Sequence, residues 1–288
     1  MPRYFLESFF VRFGLWFFYL FNPQTSSDVA SLIARLVGKM IPVNKLAYQN
    51  LSNAMPGLAE SEKKKILHDM WGNLGRIVGE YIHIAKFSTN QVANFVEIPA
   101  ATLGNIDLLK QGNGGGIIFS GHLGNWEVGP KILQYCGLNV STIYRPLNNP
   151  YVERMTASLR GVNLIEKGSK GSRKIIDIIK SGGFVLVLLD QKISEGEPVK
   201  FFHDDAITAT SIARMALKYK IPLVPARVIR IGNKFSFRTE MEKPLLFHGS
   251  GDMNSDSISL TRIINLKLEE WIREYPSQWF WVHNRWKK

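Results

Sequence analysis

Cysteine is nearly missing from this chain: Cys136 is the only one in 288 residues. That excludes an internal disulfide and the thiolate sets of structural zinc sites, and it fits a reducing compartment. Cys136 itself falls in the helix expected after residue 125 and reads as packing. Six scattered histidines without a His-Glu-x-x-His spacing offer no zinc-hydrolase motif, so neither a metal nor any other cofactor is expected. No Gly-x-Ser-x-Gly elbow supports a serine hydrolase. No small-residue cleavage site follows the apolar N-terminal run, which argues against a removed signal peptide. Repeats and long linkers are missing too, and no nucleic-acid-binding motif appears. Acidic residues are in short supply: 24 Asp and Glu against 36 Lys and Arg give a net charge of +12. Such an excess favours a polyanionic partner, whether phosphate-rich lipid headgroups, an acidic carrier protein or nucleic acid.

What the N-terminus has in abundance is aromatic side chains. Tyr4 to Phe21 is dominated by Phe, Leu, Trp and Tyr and stops at Asn22-Pro23. Glu7 and Arg12 interrupt the run, and a charge at the centre of a spanning helix costs about 2.5–3.5 kcal/mol. The run is also slightly short for a span. A helix lying in or dipping into the bilayer interface, anchored by Trp16 and Tyr19, is favoured over a full crossing, with a buried core helix as the alternative. Residues 1–23 are therefore read as a membrane-anchoring helix and 24–288 as one domain, helical over 24–94 and α/β over 95–288.

In the helical part, Ser27 or Asp28 is expected to cap a helix through Val29, Leu32, Ile33, Leu36 and Val37, and a second runs from Ser61 through Tyr81. Short apolar runs then alternate with helices. Strands are expected at 116–120, 139–144, 163–166, 184–189, 223–229 and 235–239. Helices are expected at 106–110, 125–135, 151–159, 172–180, 211–220 and 257–274. This alternation predicts an α/β fold with a mixed, largely parallel sheet flanked by helices.

The most specific chemical signal is Ser120-Gly121-His122-Leu123-Gly124-Asn125-Trp126-Glu127 at the end of the first strong strand. Five positions turn an α-helix through a net angle of about 140°, and in a strand they put two side chains on opposite faces. His122 and Glu127 can therefore meet only across a turn, which Gly121 and Gly124 permit and which Asn125 can close by capping a following helix. Glu127 on one imidazole N–H would fix the tautomer and leave the other ring nitrogen as a base for a hydroxyl. The plainer reading is a strand end followed by a carboxylate at a helix N-terminus.

Ligands in open α/β sheets bind beyond the carboxyl ends of the strands. Three expected strands end there in polar groups: His122, Tyr144-Arg145-Pro146 and Asp190-Gln191. Parallel pairing would gather them on one edge, with Arg145 as a planar fork for phosphate or an oxyanion. Asp190 and Gln191 could hold the next loop, orient a sugar or pair with Arg145. Lys167, Lys170, Arg173 and Lys174 around Gly168 and Gly171 suit an anion or a solvated face. Phe201-Phe202-His203 follows an expected polar loop and suits an apolar channel or a core cover. Trp279 to Trp286, if extended, would align Trp279, Trp281, His283 and Arg285 for an interface or for the core.

These elements together resemble the late acyltransferases of lipid A biosynthesis, the lauroyl/myristoyl type. The resemblance runs over nearly the whole chain: the aromatic N-terminus, Asn50-Leu51 to Met55-Pro56, Asn73-Leu74-Gly75-Arg76 with Glu80-Tyr81, Gly121-His122 to Glu127, Tyr144-Arg145-Pro146, Asp190-Gln191, Phe201-Phe202, and Gln278-Trp279 to Trp286. His203 departs from the small residue expected after Phe202. The resemblance implies an acyl-carrier-protein-dependent O-acyltransferase at the cytoplasmic face of the inner membrane. Its acceptor would be a hydroxyl of a Kdo-bearing, tetra-acylated lipid A precursor, a phosphorylated glycolipid. His122 would be the general base, Glu127 its orienting partner, and Arg145, Asp190, Gln191, Asn125 and Tyr144 substrate contacts. Other readings keep part of this. An acyltransferase for another membrane glycolipid or glycerophospholipid would change only the acceptor, a thioesterase would replace it with water, and a non-enzymatic binding module would leave the His/Glu turn unexplained.

Overall fold

The computed structural model describes residues 2–112, 114–193 and 196–286. The chain opens with four helices, α1 (Pro2–Tyr19), α2 (Pro23–Gly38), α3 (Val43–Ala54) and α4 (Glu60–Lys86), followed by β1 (Val96–Glu97) and α5 (Ala100–Gln111). The centre alternates as expected: β2 (Gly116–Ser120), α6 (Gly129–Tyr135), β3 (Val140–Tyr144), α7 (Pro150–Arg160), β4 (Asn163–Glu166), α8 (Ser169–Lys180) and β5 (Phe184–Leu188). A hairpin of β6 (Glu197–Phe201) and β7 (Asp204–Thr208) comes next, then α9 (Ser211–Tyr219), β8 (Leu223–Arg230), β9 (Phe237–Met241) and α10 (Met253–Glu274).

The seven-stranded sheet runs β1-β9-β8-β2-β5-β3-β4, and from β8 to β4 every neighbour is parallel. Only the β8–β9 pair is antiparallel. β2, β8 and most of β5 are buried along their length, which is why they read as unbroken apolar runs rather than alternating ones. Side-chain alternation divides them between two cores. Ile117, Phe119, Val185 and Val187 face one layer with α10 and the tail, whereas Ile118, Phe184 and Leu186 face the other with α5 and α6.

α2 lies along α4 so closely that a Cβ at Gly75 would sit 2.3 Å from the Ala30 carbonyl oxygen. α1 packs against α4 and α7 while exposing Phe5, Phe9, Phe10, Phe13 and Trp16. α2 adds Leu32, Ile33, Leu36 and Val37 to the exposed apolar surface. No helix among the described residues is long and apolar enough to cross a membrane.

Several local expectations change. α2 begins at Pro23, with Asn22 rather than Ser27 or Asp28 as the cap; Ser27 is instead fully buried. A proline at the first helical position needs no N–H partner, so Asn22-Pro23 starts a helix as readily as it ends one. The stretch before Phe201 is not a loop but the first half of a hairpin whose turn places Phe202 at φ 57°. Trp279 to Trp286 forms turns, not a strand, and buries Trp279, Trp281 and Arg285 in the core. Arg285 donates there from Nη1 to the Ile207 carbonyl at 2.9 Å and from Nη2 to Thr208 Oγ1 at 2.8 Å, with its guanidinium over the Phe201 ring and its Nε left without a partner among the described residues.

Candidate active site

β5 lies between β2 and β3, so the three polar strand ends do share one edge. Ser120 pairs with Leu188, and the Leu189 N–H donates to the Ser120 carbonyl at 3.0 Å. That register carries Asp190 alongside His122. Its Oδ1 accepts from Nδ1 of the imidazole at 2.7 Å, and its Oδ2 accepts the His122 backbone N–H at 2.7 Å. The indole N–H of Trp279 donates to the same Oδ2 at 2.7 Å. Asp190 is 1% exposed. Burial alone would raise its pKa, but the adjoining imidazole and the three donors outweigh that and pull it down to about 2. An ionised carboxylate on Nδ1 selects the Nδ1–H tautomer, so the ring's Nε2 carries the free lone pair. Trp126 and Phe280 flank the ring, with centroids 5.0 and 6.2 Å away.

The turn beneath the imidazole is built from buried polar groups. Gly124 sits at φ 59°, and a Cβ there would come within 2.2 Å of the Val228 carbonyl oxygen. Its N–H donates to the Gln278 carbonyl at 3.1 Å, and its own carbonyl accepts from Asn73 Nδ2 at 2.9 Å. Asn125 accepts the Glu127 N–H at 3.2 Å, which is the expected cap, and starts a 3₁₀ turn over Trp126–Val128 ahead of α6. Its amide donates to Glu80 Oε2 at 2.7 Å. Glu80 is fully buried and takes both terminal nitrogens of Arg230, at 2.6 and 2.8 Å. Arg230 Nε reaches Asn73 Oδ1 at 3.0 Å, and Ser27 Oγ donates to Glu80 at 2.6 Å. α2, α4, β8 and the tail thus converge on one ion pair under the turn.

Three expectations are corrected here. The carboxylate on the imidazole is Asp190, not Glu127. Among the described residues Glu127 pairs instead with Arg160, its oxygens 3.4 and 3.5 Å from Nε and Nη2. The five-residue turn points Glu127 towards α7, whereas the parallel ladder delivers Asp190 directly. Asn125, expected to touch substrate, is 0% exposed and spends its amide on Glu80. Asp190, expected at the substrate, is likewise enclosed and acts on the histidine.

His122, Glu127, Tyr144, Arg145 and Gln191 do line one cavity of about 310 Å³. Ile84, Leu159, Leu164, Leu186 and Leu188 give it apolar walls, and Lys131, Arg160 and Lys167 add to Arg145 as cations. Lys131 is committed to the end of α4, donating to the Ala85 and Phe87 carbonyls at 3.1 and 2.6 Å. Arg145 forms no ion pair among the described residues and is exposed at the edge. Tyr81 stands close to the Glu127–Arg160 pair, and burial with the nearby Glu127 charge pushes its phenol up to about 12. Sequence reasoning missed Arg160, Tyr81 and the Trp279 donor. For Arg160 the available signal was its place at the end of α7, just before Gly161 at φ 61°, where the chain must turn back towards the strand edge. Nothing local marks Trp279 as a partner of a residue 89 positions away.

A cavity with apolar walls, basic groups and a steered imidazole suits a lipid substrate, and comparison with known proteins points to lipid chemistry. The model of the bacterial lipid A biosynthesis acyltransferases matches residues 1–288. The chain belongs to that family. Among curated proteins, the lipid A biosynthesis palmitoleoyltransferase of Escherichia coli (strain K12) is 23% identical over 297 residues, covering 99% of this chain and 92% of the relative. The lipid A biosynthesis acyltransferase of Shigella flexneri matches with the same identity and coverage. In this lipid A acyltransferase His122, Arg145, Lys167 and Asp190 come from the loops after β2, β3, β4 and β5, while Lys131 and Arg160 reach the cavity from α6 and α7.

Proposed function

We propose that this lipid A acyltransferase moves a fatty acyl chain from an acyl carrier protein thioester to a hydroxyl of a Kdo-bearing lipid A precursor at the inner membrane. His122 is the general base. The observation that carries the reading is the Asp190–His122 pair at the cavity wall, which leaves Nε2 with no partner among the described residues. In the forward step Nε2 takes the proton of the acceptor hydroxyl as its oxygen bonds to the thioester carbonyl carbon. The carbonyl π pair moves onto oxygen, then returns as the carbon–sulfur bond breaks. The departing thiolate takes the proton from the imidazolium. A positioned base supplies about 10²–10⁴-fold, and losing one donor to the oxyanion costs about 10²–10³.

Arg145 serves as the cation for acceptor phosphate or oxyanion, with Tyr144 and Gln191 lining the acceptor's approach. Glu127 holds Arg160 in place in the cavity wall. The apolar walls receive the acyl chain. The exposed aromatic surface of α1, continued by α2, rests in the bilayer interface and brings the cavity to a lipid acceptor.

Purified protein incubated with acyl carrier thioester and the precursor, followed by mass spectrometry of the glycolipid, tests this. Wild type is expected to add one acyl chain and His122→Ala to add none while keeping its fold and vesicle binding. Full activity in His122→Ala would defeat the assignment, and release of free acid without acceptor would make the protein a thioesterase.

A further inference from the structure

α8 is an amphipathic helix with an unusual division of labour. Gly171, Ile175 and Ile179 are buried as the helix packs on β4 and β5, while Lys170, Arg173 and Lys174 are exposed. Positions 170, 173, 174 and 177 form one stripe, so the three cations share a face with Asp177. Over residues 166–180 there are five bases against two carboxylates, Glu166 and Asp177. None of these charged side chains forms an ion pair among the described residues. Lys167, at the N-terminal approach to this helix, lines the cavity beside Arg145, and its N–H donates to the Tyr144 carbonyl at 3.1 Å. The cationic face therefore leads to the mouth that holds His122.

We infer that the exposed face of α8, from Lys170 to Lys174, docks an acidic acyl carrier protein so that its thioester arm enters past Lys167. This rests on the carrier thioester being the donor, as proposed above. Two observations favour a protein over a bilayer on this face. Its exposed charged positions alternate with Ser172 and carry no exposed large apolar side chain, whereas a helix that settles into lipid presents one. The exposed aromatic surface sits on α1, which packs on α4 and α7 and not on α8. Cations that form no ion pair among the described residues also speed encounter with an oppositely charged protein, an effect lost in salt.

The test compares two donors in the full chain: acyl carrier thioester and the same acyl group on pantetheine, which has no protein to dock. The triple variant Lys170→Glu, Arg173→Glu, Lys174→Glu is expected to raise KM for the carrier donor about tenfold or more and to remove its salt dependence. With acyl pantetheine it should match wild type. The variant Lys170→Arg, Arg173→Lys, Lys174→Arg should behave as wild type with both. Unchanged carrier KM in the Glu variant would overturn the inference, as would an equal loss with both donors. Loss of vesicle binding at unchanged carrier kinetics would assign the face to lipid and overturn it as well. Wild type that uses acyl pantetheine but not the carrier thioester would remove the docking surface and leave acyl transfer standing. Transfer from neither donor would remove both.

Discussion

The indole of Trp279 and the carboxylate of Asp190 form a buried hydrogen bond of 2.7 Å, and through it the tail of the chain reaches the imidazole of His122. Trp279→Phe keeps an aromatic ring and deletes the donor. A hydrogen bond to a charged group contributes about 1.5–3 kcal/mol, so the variant should be less stable by that order. The sign with pH follows from the depressed Asp190 value. Its stabilisation is present above the unfolded carboxylate pKa and is lost as pH falls towards about 2. With one donor gone the folded pKa rises, and the acid-unfolding midpoint should move to higher pH. Circular dichroism across an acid titration of both proteins reads this directly.

Asp190→Asn preserves shape and removes charge. The amide can accept the Nδ1 proton less well or donate to the ring and select the other tautomer, so kcat should fall by about 10³–10⁴. Unchanged near-ultraviolet dichroism would show that the fold survives. Activity within a few-fold of wild type would mean that Asp190 only holds the loop.

The Glu80–Arg230 pair makes a different prediction, about stability first. Both side chains are almost wholly enclosed, so removing one leaves an uncompensated buried charge. Arg230→Met should cost about 3–5 kcal/mol in urea unfolding, and Glu80→Leu with Arg230→Met together should cost less than either alone. Because Asn125 and Asn73 share this network, the single variants should also lower activity.

His283 predicts a pH dependence near neutrality. Burial holds its pKa down to about 4, and its Nε2 accepts the Lys192 backbone N–H at 2.7 Å. The folded protein thus resists a proton that the unfolded chain binds near pH 6.5. Stability should be full above that value and decline as pH falls towards 4, by on the order of 2–3 kcal/mol at about 1.4 kcal/mol per pH unit. His83 is depressed too, chiefly by burial, and contributes in the same direction. Urea midpoints at pH 7.5, 5.5 and 4.5 should therefore spread less for His283→Gln than for wild type; an equal spread would refute the assignment.

The sheet was legible because its strands are buried on both faces and cannot hide among polar residues: Ile117 to Phe119 and Phe184 to Leu188 announce themselves. Gathering His122, Arg145 and Asp190 on one edge followed from parallel pairing alone. Which carboxylate meets the imidazole did not, because spacing along the chain favoured Glu127 and only the order β2-β5-β3 shows that Asp190 is nearer. Asn125 misled for a related reason. A polar residue beside a candidate base looks like a substrate contact until Glu80 appears beneath it. The β6–β7 hairpin was missed because its strands are short and half polar, and Phe202 turns it without a glycine.

The ladder between Ser120 and Leu188 has a last consequence. A slip of one residue would rotate every side chain of the strand to the opposite layer and swing the acid away from the ring. Chemical competence is thereby tied to alignment: a molecule with the right content of helix and strand but an offset pair would match the native far-ultraviolet spectrum and still turn nothing over.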